Sequence, residues 1–569
     1  MINWFTYSAS LKESDRPSPW SELGTASLIS GDTGSDQAVA WVRQALDRCM
    51  SQHSACVPTG CHVLPTRVLR IDGPNDVKLH VTANETSHYL CLSHCWGRLP
   101  LLQTTSVKLA AFQMRIPWEE LPRTFQDAIS FTYRIGYKYL WIDSLCIVQD
   151  SANDWRHEGS KMASIYKNAH LTLAATRSSD SNGGCFVNSK ARHISRRWKF
   201  TDPQDEIYEI HTRQALDHAD FMQWRLPLST RAWAFQERLL SPRILHFTEN
   251  ELIWECSERI ECECSGIYGT GWNKPNKMIS RPDLWADQPL PKVDRQWQEI
   301  VSLYKTKCLT FDKDIFPALQ GLAKMIPPKM GPYLAGLWSH TLATNLTWYV
   351  LGDLPGARHK EWHAPTWSWA SVTRQIEWTN IEWHNFSRER DTCVTHITVI
   401  DANVSAIGDY VTGEIRSGEI IITGHGLFGQ AHYDEEKPFD QFRLALRCPD
   451  GTTLTISKSA IVTRFWVPNL PRMFSPEVFW DYDFTAAGQY KVPNGTDILA
   501  MRIEQFSNES RTRYMSAWLL LKHCSHDSGS FERIGLLHVY DTGLLPGHVK
   551  TSLLEQALEA SPEIEIRIV

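Results

Sequence analysis

The clearest alternation of apolar and polar positions lies between residues 88 and 180. Tyr89–Ser93 reads as a short apolar strand that stops at Trp96 and Gly97. Pro122 then opens a helix with Phe125, Ala128, Ile129 and Tyr133 as its apolar face and Gly136 as its stop. Tyr139–Ile142 is a buried-type strand ending at Asp143, a second helix runs from about Asp154 to Ala169, and Leu171–Ala175 is a third strand. Strand, helix, strand, helix, strand at this spacing predicts a parallel α/β sheet.

The rest of the chain divides around that core. Residues 1–35 are rich in Ser, Gly, Pro and Asp and read as a loose leader. Residues 36–87 hold a helix from Asp36 to Met50, a Cys/His-containing loop and a strand near Arg67–Ile71. The core itself spans 88–240: residues 185–225 are irregular, and a short helix around Trp233–Leu239 closes it. In 241–389, a mixed helical and aromatic region, a hairpin pairs Ile244–Phe247 with Leu252–Glu255, and about 290–350 is helical. Residues 390–569 run strand after strand, with Pro449-Asp450-Gly451 as a turn, and predict an antiparallel β region. Gly424-His-Gly426-Leu-Phe-Gly429 fits the dinucleotide-binding pattern, but Asp434, Glu435, Glu436 and Pro438 follow where a helix is required. It reads as a glycine turn between strands.

Composition narrows the partners. With 58 Lys plus Arg against 64 Asp plus Glu, the net charge is -6, which leaves no basic excess to neutralise a phosphate backbone. Nucleic acid is therefore not an expected partner. Met1 to Trp20 is polar, with no apolar signal region, and no run approaches the ~18 residues that cross a bilayer. The 14 cysteines are scattered, several of them in strand-like runs. A reduced, cytoplasmic protein without membrane contact is the expectation. The 24 tryptophans predict a large aromatic core.

Candidate chemistry concentrates in the core. Trp155, Glu158, Gly159, Met162, Ile165, Tyr166 and Ala169 share one helical face, so Glu158 lies on an apolar stripe, where an unpaired carboxylate is costly. It either caps a loop or pairs with an Arg, or it is a carboxylate held in a cleft for catalysis or for binding sugar hydroxyls. Ser93, His94, Trp96 and Gly97 end one strand, and Asp143 and Ser144 end another; ligands of open parallel sheets bind at such ends. Cys49-x3-His53-x2-Cys56, with Cys61 and His62 nearby, lacks standard zinc spacing, and Cys256, Cys262 and Cys264 lack a convincing fourth ligand, so no metal site is assigned. Neither a phosphate-binding GxxxxGK[ST] loop nor a GxSxG elbow occurs.

Five ordered blocks carry a resemblance. Tyr89-Leu-Cys-Leu-Ser-His-Cys-Trp-Gly97, Leu121-Pro-Arg-Thr-Phe-Gln-Asp-Ala128 and Tyr139 to Asp150 are the first three. Asp154-Trp155 with Glu158, Met162 and Ile165-Tyr166 is the fourth, and Thr230 to Arg238 is the fifth. Together they resemble the fungal heterokaryon-incompatibility (HET) domain, with His94 where Tyr is frequent and Ala232 where Gly is usual. The resemblance implies a cytosolic fungal protein linked to non-self recognition and programmed cell death. It also implies a distant similarity to TIR domains, hence a flavodoxin-like fold, in which the acidic residue follows a Trp as Glu158 follows Trp155. By that similarity Glu158 is the catalytic candidate, with Ser93, His94, Trp96, Gly97, Asp143 and Trp155 around a substrate that would be NAD. No resident cofactor is expected. A non-catalytic adaptor acting by self-association or through an incompatibility partner protein is the second reading. An enzyme or accessory factor of fungal secondary metabolism is the third.

Overall fold

The computed structural model describes residues 5–8, 27–56, 60–98, 100–201, 205, 207–223, 225–267, 285–352, 357–380, 391–407, 412–436, 442–457, 477–485, 490–508, 514–525, 527, 529–541 and 556–569. The chain forms two compact units, Met1–Trp285 and Ala286–Val569.

The first unit is built on an eight-stranded mixed sheet. Its elements in chain order are α1 (Asp36–Gln52), β1 (Arg67–Gly73), β2 (Asp76–Val81), β3 (Leu90–Ser93), α2 (Arg123–Arg134), β4 (Tyr139–Trp141), α3 (Ala152–Asn168), β5 (Leu171–Ala174), α4 (Ala232–Leu240), β6 (Arg243–Phe247), β7 (Leu252–Cys256) and β8 (Ile260–Cys262). The strand order is β8-β7-β6-β5-β3-β4-β1-β2. Its centre, β6-β5-β3-β4, is parallel, as the strand–helix alternation predicts. Both edges are antiparallel, which corrects the expectation of a parallel sheet. For β2 and for β6 to β8 the cause is local, because β1 to β2 and β6 to β8 run through turns too short for the crossover that parallel pairing needs. Strand β1 instead meets β4 through a long-range pairing of Leu69 with Leu140. The sheet is therefore mixed.

Helix α2 buries Phe125, Ala128, Ile129 and Thr132, whereas Tyr133 is exposed. Thr132 is the i+7 position of that stripe, so the face turns one residue away from the expected Tyr133. Its hydroxyl is satisfied by donating to the Ala128 carbonyl at 2.7 Å. Strands Arg196–Thr201 and Ile207–Gln214 form a hairpin in the stretch read as irregular, and Phe5–Ser8 of the leader pairs with it. The leader's residues 27–35 are also fixed: Thr33 bonds to the Val187 carbonyl and Ser35 caps α1. Its residues 9–26 lie outside the described part.

In the second unit the aromatic core is tied by indole N–H groups. Trp297 and Trp369 both donate to the Gly336 carbonyl (2.9 and 3.0 Å), Trp348 to the Trp367 carbonyl and Trp378 to the Asn345 carbonyl. Each ring thus fills apolar volume while satisfying a buried loop carbonyl. One long helix, Leu290–Tyr304, serves the expected helical middle; the rest of it is single turns and two-stranded ladders. Beyond residue 390 the predicted strands join one ten-stranded sheet, antiparallel except where Ser530–Asp541 meets Glu563–Ile568.

Gly424, Gly426 and Gly429 are not in a turn. They lie inside the long strand Ile415–Tyr433, whose first half pairs with Ile397–Ala406 and Glu563–Ile568 and whose second half pairs with Phe442–Arg447 and Thr496–Asn508. A Cβ on Gly429 would sit 2.3 Å from the Ala445 carbonyl oxygen. The glycines allow close backbone approach where one strand changes partners.

Candidate functional site

The carboxyl ends of β3 and β4 and the middle of α4 converge on one polar centre. The Ser93 hydroxyl donates to Glu237 Oε2. The Tyr166 hydroxyl of α3 donates to the Leu92 carbonyl at 3.2 Å and lies in hydrogen-bonding range of the same carboxyl. Glu237 is 7% exposed, and burial, reinforced by the Asp143 charge, pushes its carboxyl up to about 7 against the opposing pull of Ser93 and Arg231. A carboxyl near 7 exchanges protons at neutral pH.

The second half of the centre hangs on Asp143. Trp96 donates its indole N–H to Asp143 Oδ2 at 2.8 Å, and the Ser144 amide donates to Oδ1 at 2.7 Å. His94 Nδ1 lies 3.8 Å from Oδ1. Its ring meets Phe125 edge-on at 4.9 Å, and its Nε2 is buried without a hydrogen-bond partner. Burial lowers the His94 imidazole to about 4, so the ring is neutral at ordinary pH, although Asp143 pulls the other way. Arg231 holds the turn by donating to the His94 carbonyl at 3.0 Å.

Gly97 follows with φ +80°, and a Cβ there would stand 2.4 Å from Asp180 Cβ. The chain makes this tight exit because glycine alone combines that φ with that approach. Ser93, His94, Trp96 and Asp143 are thus brought together, with Gly97 as the turn behind them.

Glu158 is 1% exposed on α3, as the apolar stripe implies. Its contacts run to Lys161 Nζ at 3.3 Å and His157 Nε2 at 3.7 Å, not to the strand-end residues. Lys161 in turn bonds to Thr66 at 3.0 Å. Trp155, one turn earlier, is 38% exposed. The start of the same helix is fixed by Asp154, which pairs with Arg67 at 2.5 Å and accepts from the Val148 amide at 2.8 Å.

Sequence reasoning passed over Glu237, Arg231 and Tyr166. A signal for Glu237 existed: it sits in a nine-residue helix that buries almost every position, so a carboxylate there is necessarily desolvated. Its neighbour Arg238 forms a two-point pair with buried Glu255 (2.8 and 2.7 Å), and Glu255 also meets His246 at 3.0 Å. A cavity of about 920 Å³ occupies the second unit, lined among others by Arg358, His359, His363, Arg416, Glu419 and Tyr490. None of the candidate site residues Ser93, His94, Trp96, Gly97, Asp143, Trp155 and Glu158 lines it.

Residues 89–237 match the family model described as Heterokaryon incompatibility protein (HET). Residues 89–237 are thus identified as a HET domain within the chain. The matched span takes in the whole strand-end centre, from Ser93 to Glu237, together with Trp155 and Glu158. No curated protein and no solved structure matches the chain. No helix among the described residues is long and apolar enough to cross a membrane.

Proposed function

We propose that this chain is an incompatibility effector linked to fungal non-self recognition and programmed cell death, acting in the cytoplasm through its HET domain and the polar centre at the ends of β3 and β4. The observation that carries the reading is the buried Ser93–Glu237 pair beside His94 and Asp143: a carboxyl that titrates near neutrality, at the strand ends where α/β sheets bind ligands.

The chemistry we assign to it is hydrolysis of NAD. The bond between the nicotinamide nitrogen and the ribose C1′ breaks, water adds to C1′, and nicotinamide, ADP-ribose and a proton leave. The transition state is cationic at the ribose, so a carboxylate beside it stabilises the reaction. Glu158, held by Lys161 and not by the strand-end residues, is assigned as the carboxylate for the ribose hydroxyls once it is released from that pair. Trp96 or Trp155 supplies the stacking surface, and Glu237 takes the proton from water.

A second reading has its own support. Ser93 is already bonded to Glu237, and Glu158 is already paired with Lys161, so the centre is closed by its own side chains. That arrangement suits a non-catalytic module that signals by self-association or partner contact.

Intracellular NAD, measured after induced expression of wild type, Glu158→Gln and Glu237→Gln at matched soluble levels, separates the two. NAD falling with wild type and holding steady with Glu158→Gln is the expected result. Toxicity from all three with NAD unchanged would reject the catalytic reading in favour of the module.

A further inference from the structure

The fold joins residues that lie far apart in the chain into a second centre. Cys49 and His53 are one helical turn apart at the end of α1, and Cys56 follows in a turn closed by its amide bonding to the His53 carbonyl at 3.1 Å. Cys256, the last residue of β7, reaches the same point. All four are buried: Cys49 and Cys256 are 0% exposed, Cys56 3% and His53 6%. One ligand atom from each lies within 4.8 Å of all the others, with Cys256 Sγ 3.4 Å from His53 Nδ1. All three cysteines are free thiols.

We propose that Cys49, His53, Cys56 and Cys256 bind one zinc ion and so staple the end of α1 to the β7–β8 hairpin. Three thiolates and one imidazole form a standard closed tetrahedral set, and Zn–S bonds of about 2.3 Å place the sulfurs roughly 3.8 Å apart, inside the 4.8 Å span that already holds the four ligand atoms. Soft sulfur ligands with one imidazole select zinc over magnesium or calcium.

Three features of the surroundings suit an ion here. The amides of Glu258 and Arg259 donate to the Cys256 sulfur, and that of Glu258 to the Cys56 sulfur, outer-shell contacts of the kind that orient metal ligands. Zinc with three thiolates and a neutral imidazole carries a net charge of about -1. Fully buried Arg243 donates to the Cys56 carbonyl at 3.2 Å, and among the described residues no carboxylate pairs with it, so it is positioned to offset that charge. The Arg48–Glu261 pair at 2.7 Å and the Ala55 amide bond to Glu258 at 3.2 Å hold the same two segments in register.

A second group, His218, Glu251, Cys262 and Cys264, also brings its ligand atoms within 4.8 Å of one another but offers two sulfurs rather than three. His218 meets Glu251 at 2.7 Å, and Cys264 bonds to Glu251 at 3.3 Å. It serves as the internal control.

The test is elemental analysis of untagged full-length protein purified without chelator, for wild type, Cys256→Ser, Cys264→Ser and Cys61→Ser. The expected result is about one zinc per chain in wild type that is lost in Cys256→Ser and retained in the other two. Because a misfolded Cys256→Ser would also lose zinc, wild type is exchanged with cobalt as well: tetrahedral cobalt–thiolate absorption supports the site. Wild type that takes up neither metal overturns the proposal. So does zinc that persists in Cys256→Ser but is lost in Cys264→Ser, or a disulfide among Cys49, Cys56 and Cys256 in the mass spectrum.

Discussion

Two buried charge systems, one in each unit, are built on opposite plans. In the second unit Arg533 and Asp481 are both 0% exposed and meet through two contacts, 2.9 and 3.2 Å. Arg533 also donates to the Leu346 carbonyl at 2.7 Å and to the Trp348 carbonyl, and its guanidinium lies 3.4 Å over the Trp348 ring. Four partners saturate that cation. In the first unit Glu237 has a hydroxyl rather than a cation as its close partner, and His94 Nε2 has no partner at all. Saturated buried charge holds structure, whereas buried polar groups left short of partners and shifted toward neutrality mark places where chemistry or binding is expected.

The largest effect should come from breaking the saturated pair. Asp481→Ala leaves Arg533 buried and uncompensated, and a loss of about 3–5 kcal/mol is expected in denaturant unfolding of the full chain. A loss below ~1 kcal/mol would remove the contrast between the two systems.

The unsaturated centre should instead respond to pH. As pH rises past the ordinary carboxylate value of 4.5, Glu237 ionises in the unfolded chain but keeps its proton in the folded one up to about 7. The unfolded state then binds fewer protons, so stability falls with rising pH across 4.5–7 and levels off above. The slope is at most on the order of 1 kcal/mol per pH unit. Glu237→Gln retains the acceptor for Ser93 and should remove that part of the slope, read as the wild-type minus variant difference in urea midpoint between pH 4.5 and 8. An unchanged difference would mean that Glu237 is already ionised.

The smallest effect belongs to the bond joining the two strand ends. Trp96→Phe keeps a ring but deletes the 2.8 Å bond to Asp143. A cost of about 1 kcal/mol is expected in the same unfolding assay, with the Glu237 pH slope retained. A much larger loss would make Trp96 part of the structural frame instead.

Much of the local structure was legible. Helix α2 was announced by Pro122, the spacing of Phe125, Ala128 and Ile129, and Gly136. Helix α3 was announced by Met162, Ile165 and Tyr166 at helical intervals. Buried Glu158 followed from the same spacing, because a stripe depends only on residues within a few turns of one another. The partners of that carboxylate were not legible: Lys161 is a neighbour in sequence, but whether it turns toward Glu158 depends on Thr66 across the fold.

By itself the sequence determined the elements with strong period, the presence and order of the HET blocks, the clustering of Ser93, His94 and Trp96 at one strand end, and the density of tryptophan that fills the second unit. Each of these is encoded within a short window of chain. Tertiary structure decided the antiparallel pairing of β1 with β4 in the first sheet and the strand, not turn, that holds Gly424 to Gly429. It also brought Glu237 against Ser93, and Cys256 against Cys49, His53 and Cys56. The physical reason is the same in every case: these outcomes depend on which distant segments pack together, and a pattern read along one segment carries the burial of its own face but not the identity of what covers it.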